Sequence, residues 1–137
     1  MNRKELQNLS RIRLREARAL VKLGMSDGAY YLAGYSVECA LKACIAKATQ
    51  RHDFPDKHKA EASYSHKFKE LLKVAGLEQA RTEEAGRDAY FQSNWDIVIL
   101  WSERSRYALS HAGAARKLIE AVGDRKHGVL RWIKQHW

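Results

Sequence analysis

The sequence predicts an all-α bundle of four to six helices, on three observations. Apolar residues recur at three- and four-residue steps through three long segments. One proline and eight glycines in 137 residues leave few breaks, which argues against a turn-rich β fold. A hydrophobic share of 45% beside a charged share of 30% is that of a folded globular chain, read as one domain over 1–137 with a single core.

Each element follows from local pattern. Residues 4 to 23 carry Leu6, Leu9, Ile12, Leu14, Ala17, Leu20 and Val21 at helical steps, and Gly24 stops that helix. A second helix starts at Ser26 or Asp27 as its N-cap and runs to 49. Its small residues Ala29, Ala33, Gly34, Ala40 and Ala43 let another helix come close. Residues 50 to 65 hold the only proline and no clear period, and read as a loop. Ser65 caps a short helix that Gly76 ends, and the polar, helix-prone stretch 78 to 91 is interrupted by Gly86. Ser93, with Asp96 three residues on, makes a capping-box-like start for a helix that buries Trp95, Ile97, Val98, Leu100 and Trp101. After Ser110, Ala114, Leu118, Ile119 and Val122 form one stripe, and Val129, Leu130 and Ile133 another beyond a break at 123–128. The tryptophans Trp95, Trp101, Trp132 and Trp137 read as core or interface anchors.

Charge narrows the function. Twenty-five Lys and Arg against 16 Asp and Glu give a formal charge of +9 and favour an anionic partner, RNA or a nucleotide. The first twenty residues lack the apolar run of a secretory signal, and no stretch reaches the length of a membrane helix. A cytoplasmic protein without a membrane partner is expected. Cys39 and Cys44, five apart in a helical pattern, suit neither a disulfide nor a metal pair and read as reduced core residues. The six histidines show no zinc spacing, so no metal and no cofactor is expected.

The chemistry-bearing stretch is RSRYALSH, residues 104 to 111. Arginine grips phosphate with a planar fork that never loses its charge, and histidine moves protons near neutrality. Converging on one phosphate, the two types could support metal-independent attack of an RNA 2′-OH by charge balance and proton transfer. On a continuous α-helix Arg106 and His111 point about 140° apart, whereas Arg104 and His111 share a face. In a non-helical connection Arg106 can converge with His111, and both spacings stay open. Arg106 and His111 are taken as the catalytic pair, Arg104 as a nucleic-acid contact, and Arg11, Arg13 and Arg15 as peripheral phosphate contacts. Ser110 as helix cap would place His111 in the first turn, at the positive end of the helix dipole. An imidazole in such an open cleft is expected to add little to stability. The alternative is a packed turn, with both arginines paired to Glu38 or Glu103.

Three patterns together resemble the HEPN (higher eukaryotes and prokaryotes nucleotide-binding) family. ALVKLGMSDGAYYLAGYSVECALKACIAK is similar to its first helical hairpin, with the Glu-x-x-Leu-Lys-like run at Glu38, Ala40, Leu41 and Lys42. SHKFKELL resembles its His-x4-Leu helix start, at His66, Leu71 and Leu72, and RYALSH its Arg-x4–6-His motif. The resemblance spans about residues 10 to 135. It implies an up-down four-helix bundle with short extra helices that forms a homodimer, its Arg/His motif lining a cleft at the interface. It also implies either of two functions. One is a toxin-like, metal-independent endoribonuclease; the other is a non-catalytic nucleotide or RNA binder, or a docking module for a nucleotidyltransferase. Two positions depart from the pattern: Tyr107 follows Arg106 where active members carry a polar residue, and Gly113 stands where nucleotidyltransferase-modified members carry tyrosine.

Overall fold

The structure, a computed structural model, describes residues 1–49, 56–107, 109 and 111–137, with the main chain alone at 106. Its elements are α1 (Arg3–Lys22), α2 (Ser26–Ala48), α3 (Lys57–Ala62), α4 (Phe68–Val74), α5 (Glu78–Arg87), α6 (Ala89–Val98), a 3-10 turn (Glu103–Tyr107), α7 (Ala112–Gly123) and α8 (Val129–Lys134). Among the described residues there is no strand, and the protein is all-α.

α1 starts in a reciprocal cap. The Asn2 side chain accepts from the Glu5 N–H, and the Glu5 carboxylate accepts from the Asn2 N–H. Gly24, at φ +77°, ends the helix in the left-handed conformation that glycine adopts at least cost. α2 then returns along α1 and becomes the central helix, packed also against α4, α7, α8 and the 3-10 turn. Its small residues serve that role: Ala29, Ala33, Gly34, Ala40 and Ala43 are all buried. Two serines staple the hairpin at its core. The Ser10 hydroxyl donates to the Ser36 carbonyl and the Ser36 hydroxyl to the Ser10 carbonyl, both at 2.7 Å. These reciprocal bonds satisfy the two buried hydroxyls within the helix contact.

Several starts differ from the sequence expectation. α2 begins after Met25 with no side-chain cap, so Ser26 is its first residue rather than its cap. α3 lies within the stretch read as a loop, capped by Asp56 through the His58 and Lys59 N–H groups; residues 50–55 lie outside the described residues. Ser65 stands before the turn into α4, where its hydroxyl accepts from the Lys67 N–H at 3.1 Å. Gly86 lies inside α5 and does not interrupt it. α6 starts at Asp88, whose carboxylate accepts from the Tyr90 and Phe91 N–H groups, so Ser93 sits mid-helix. That earlier start adds Phe91 to the core, 5.3 Å from the Trp132 ring, while α6 ends at Val98 and leaves Leu100, expected to be buried, exposed beyond it. The break after Gly123 is present, its turn held by Asp124 accepting from the Lys126 and His127 N–H groups.

All four tryptophans are buried. Both cysteines are free and buried, and burial first of all pushes the Cys39 thiol up to about 11 and Cys44 to about 12. Among the described residues no helix is long and apolar enough to cross a membrane, and no cluster of His, Cys, Asp and Glu is placed to hold a metal ion.

Candidate functional site

The 3-10 turn that opens the RSRYALSH stretch follows an aromatic anchor. Trp101 stacks on Phe68 at 5.1 Å and on Tyr31 at 6.0 Å, and its indole lies flat against Gly34 of α2. A Cβ at position 34 would overlap that ring, so the close approach requires glycine. Two residues on, Glu103 joins a polar chain into the core. Its Oε2 lies 3.3 Å from His66 Nε2, and His66 Nδ1 lies 2.9 Å from Glu38 Oε1. Lys42, one turn along α2, donates to the same Glu38 oxygen at 3.0 Å. Glu38 is only 2% exposed, and its second oxygen is buried without a partner. Glu38 and His66 belong to separate family-like motifs, and here they bond to each other. They also answer the packed-turn alternative for Arg104: Lys42 and His66 hold these carboxylates, and Arg104 pairs with neither.

Above this base the chain forms a 3-10 turn at Glu103–Tyr107. Three residues per turn send neighbouring side chains in different directions. Arg104 is exposed and makes no hydrogen bond or ion pair among the described residues. Ser105 points inward, 7% exposed, with its hydroxyl lacking a partner. The Arg106 side chain lies outside the described residues, as does Ser110.

His111 is itself the N-cap of α7 and does not lie in the first turn. Its Nδ1 accepts from the Ala114 N–H at 3.0 Å. Gly113 leaves room for the ring, since a Cβ there would lie 3.2 Å from Nδ1. With the Nδ1 lone pair spent on the backbone, the neutral capping tautomer carries its proton on Nε2. The ring in this state is a hydrogen-bond donor, not a base. It also holds a helix terminus, which changes the expectation that it adds little to stability.

Tyr30, Leu100, Ser102, Arg104, Ser105, Leu109, His111 and Ala114 line one pocket of about 390 Å³. Burial pushes the Tyr30 phenol up, which keeps its O–H as a donor at neutral pH. Among the described residues no carboxylate lines the pocket, and the positive end of α7 opens into it. Arg104 and His111 therefore share a pocket built of donors.

The three α1 arginines do not act as a set. Positions two apart on a helix are about 200° apart, so Arg13 faces away from Arg11 and Arg15. Arg13 pairs with Glu16, Arg11 lies over the Trp137 ring at 4.8 Å, and Arg15 is exposed. None lines the pocket at α7. The arginine that shares the Arg11 and Arg15 face is Arg18, which the sequence marks as one more charge on the helix surface but not as a phosphate contact. Ser105 and Tyr30 were also missed. Nothing local marks a serine for burial in a 3-10 turn, and Tyr30 read only as a packing residue of α2.

No protein-family model matches the chain, and neither the curated proteins nor the solved structures contain a match to it.

Proposed function

We propose that this chain is an RNA-binding protein of the HEPN type, an up-down four-helix bundle acting as a homodimer, with the pocket at the start of α7 as its phosphate site. One observation carries the reading: among the described residues a single pocket gathers a guanidinium without an ion-pair partner, an unpartnered buried hydroxyl and a capped imidazole at a helix N-terminus, with no acid beside them. Arg104 offers a bidentate fork to two phosphate oxygens. Ser105, Tyr30 and the His111 Nε2–H supply neutral donors that cost little to hold ready, because the 3-10 turn and the cap already fix them. The +9 charge of the chain draws the polyanion in.

Cleavage by 2′-OH attack is the second reading, favoured by an arginine and a histidine in one pocket. Arg104 balances charge at the phosphorane. His111 can take the 2′-OH proton only after its ring swings off the Ala114 N–H and frees Nδ1. Because the capped ring donates and does not accept, the geometry favours binding first and cleavage as a step that breaks the cap.

The test is a filter-binding and end-group assay with labelled single-stranded RNA in chelator. Arg104→Ala is expected to weaken binding by about tenfold. His111→Ser, which keeps a capping side chain, is expected to weaken it less. Products ending in 2′,3′-cyclic phosphate decide for the nuclease, and intact RNA with binding preserved decides for the binding module. RNA binding unchanged in both variants would remove this pocket from the reading.

A further inference from the structure

α7 has a second basic end. A groove of about 510 Å³ lies where the C-terminal half of α1 meets the α7–α8 turn, and Arg18, Arg125, Arg131 and Lys134 line it. Its charges are not equally available. Arg131 is committed, its Nη2 held 3.1 Å from Glu84 Oε1. Asp124, the one acid in the lining, has Oδ2 spent on the Lys126 and His127 N–H groups that fold the turn. Arg18 donates to an uncharged partner only, the Gly123 carbonyl at 3.3 Å, and keeps its remaining N–H groups. Arg125 makes no hydrogen bond or ion pair among the described residues. Lys134 has no carboxylate partner either; its ammonium sits 5.7 Å from the Trp137 ring centre.

We propose that this groove is a phosphate-binding site in which Arg18, Arg125 and Lys134 hold the oxyanion. Three cations on separate elements converge there against a single carboxylate, Asp124, whose Oδ2 is turned to the backbone of the turn. Their mutual repulsion is a cost the folded chain carries until an anion enters. Lys134 registers that repulsion: burial first, then the Arg11 and Arg18 charges, hold its ammonium below the ordinary lysine range. Gly123 gives the site its geometry. A Cβ at that position would overlap the Arg18 guanidinium, so the absence of a side chain lets Arg18 lie across the end of α7. On α1, Arg11 and Arg15 continue from Arg18 at four- and three-residue steps, a basic stripe leading away from the groove. The site is independent of the pocket at the other end of α7. The 12 residues of that helix rise about 18 Å, so one ligand phosphate cannot occupy both.

Two sources could supply the phosphate, free phosphate or a nucleic-acid backbone, and the experiment uses both. Wild-type protein labelled with nitrogen-15 is titrated with inorganic phosphate and, separately, with a single-stranded oligonucleotide, following the amides of residues 123–125 and 134. Saturating shifts with both probes at similar affinity assign the site to free phosphate. Oligonucleotide binding about tenfold tighter or more assigns it to a backbone. In Arg18→Gln with Lys134→Gln, the affinity read at these amides is expected to fall about tenfold, while Lys117→Gln, an exposed charge outside the groove, changes it less than about twofold. Gly123→Ala is the stricter arm. It displaces the guanidinium while keeping every charge, so affinity falls if geometry holds the phosphate. Unshifted amides with both probes overturn the proposal. So does a double variant that binds like the wild type, or a Gly123→Ala variant that keeps full affinity.

Discussion

The two sides of the segment 99–111 are built on opposite principles. Its inner side is crowded: Trp101 lies against Gly34 and Phe68, and Glu103 ties through His66 to the buried Glu38. Its outer side is open, with Leu100, Arg104, Leu109 and His111 exposed around the pocket. The inner contacts come from α2 and α4, far away in sequence, and none of them can reach a ligand in the pocket. The outer groups are held by a few local bonds. A substitution on the inner side should therefore cost folding, and one on the outer side should cost binding. The comparison breaks if the two losses travel together.

The largest effect is expected at Gly34. In Gly34→Ala the new methyl meets the face of a buried indole that Phe68 backs, so neither partner can yield without repacking. A loss of about 3 kcal/mol in denaturant unfolding is expected. An unchanged midpoint would show that Trp101 does not hold the segment down. Next comes Glu38→Ala, which leaves Lys42 and His66 without their shared carboxylate. Both side chains reach solvent, His66 with nearly half of its side chain exposed, so the cost stays below that of a fully buried pair. About 2 kcal/mol is expected, and about half of that for Glu38→Gln, which keeps the shape and one acceptor.

The sequence made one side of this comparison far more legible than the other. Helical stripes and the four tryptophans show the core, because burial repeats at every turn and leaves a periodic trace. Caps left weaker traces. Ser93 with Asp96 and Asp88 with Phe91 both look like helix starts, and only the burial of Phe91 against Trp132 selects the earlier one. Ser110 is the better capping residue by type, yet His111 holds that place through Nδ1. The groove at the far end of α7 left no local pattern at all, since the Arg18 and Gly123 that meet there are 105 residues apart. The outer pocket was half legible: the arginine–histidine spacing pointed to it, while Ser105 and Tyr30 join it only through the turn and the packing of α2.

On the outer side the expected stability losses shrink. His111→Ala removes the acceptor from the Ala114 N–H and is expected to cost about 1 kcal/mol, whereas His111→Ser restores a cap and recovers most of it. RNA binding should fall in both, because the imidazole is gone in both. Binding that returns with the cap would make His111 a structural residue and leave Arg104 alone at the site. Arg104→Ala, with no partner to lose among the described residues, should leave the unfolding midpoint unchanged within about 0.5 kcal/mol while it weakens RNA binding.

The smallest signal separates the two sides without any ligand. Cys39 follows Glu38 directly on α2, and burial, followed by the Glu38 charge, pushes its thiol up to about 11; burial pushes Cys44 to about 12. At pH 8 roughly one Cys39 in a thousand is then a thiolate, against about one in four for an ordinary cysteine, and both thiols are shut in the core. Native protein should react with iodoacetamide only through opening of the fold, at a rate that follows the local free energy of that opening. Gly34→Ala and Glu38→Ala loosen the element that carries both thiols, so their labelling should rise by about tenfold or more. Arg104→Ala should label like the wild type, because its loss lies on the open side and leaves α2 untouched. Equal labelling in Gly34→Ala and Arg104→Ala would mean that the 99–111 segment opens independently of α2, and that the inner contacts do not bind the site to the core.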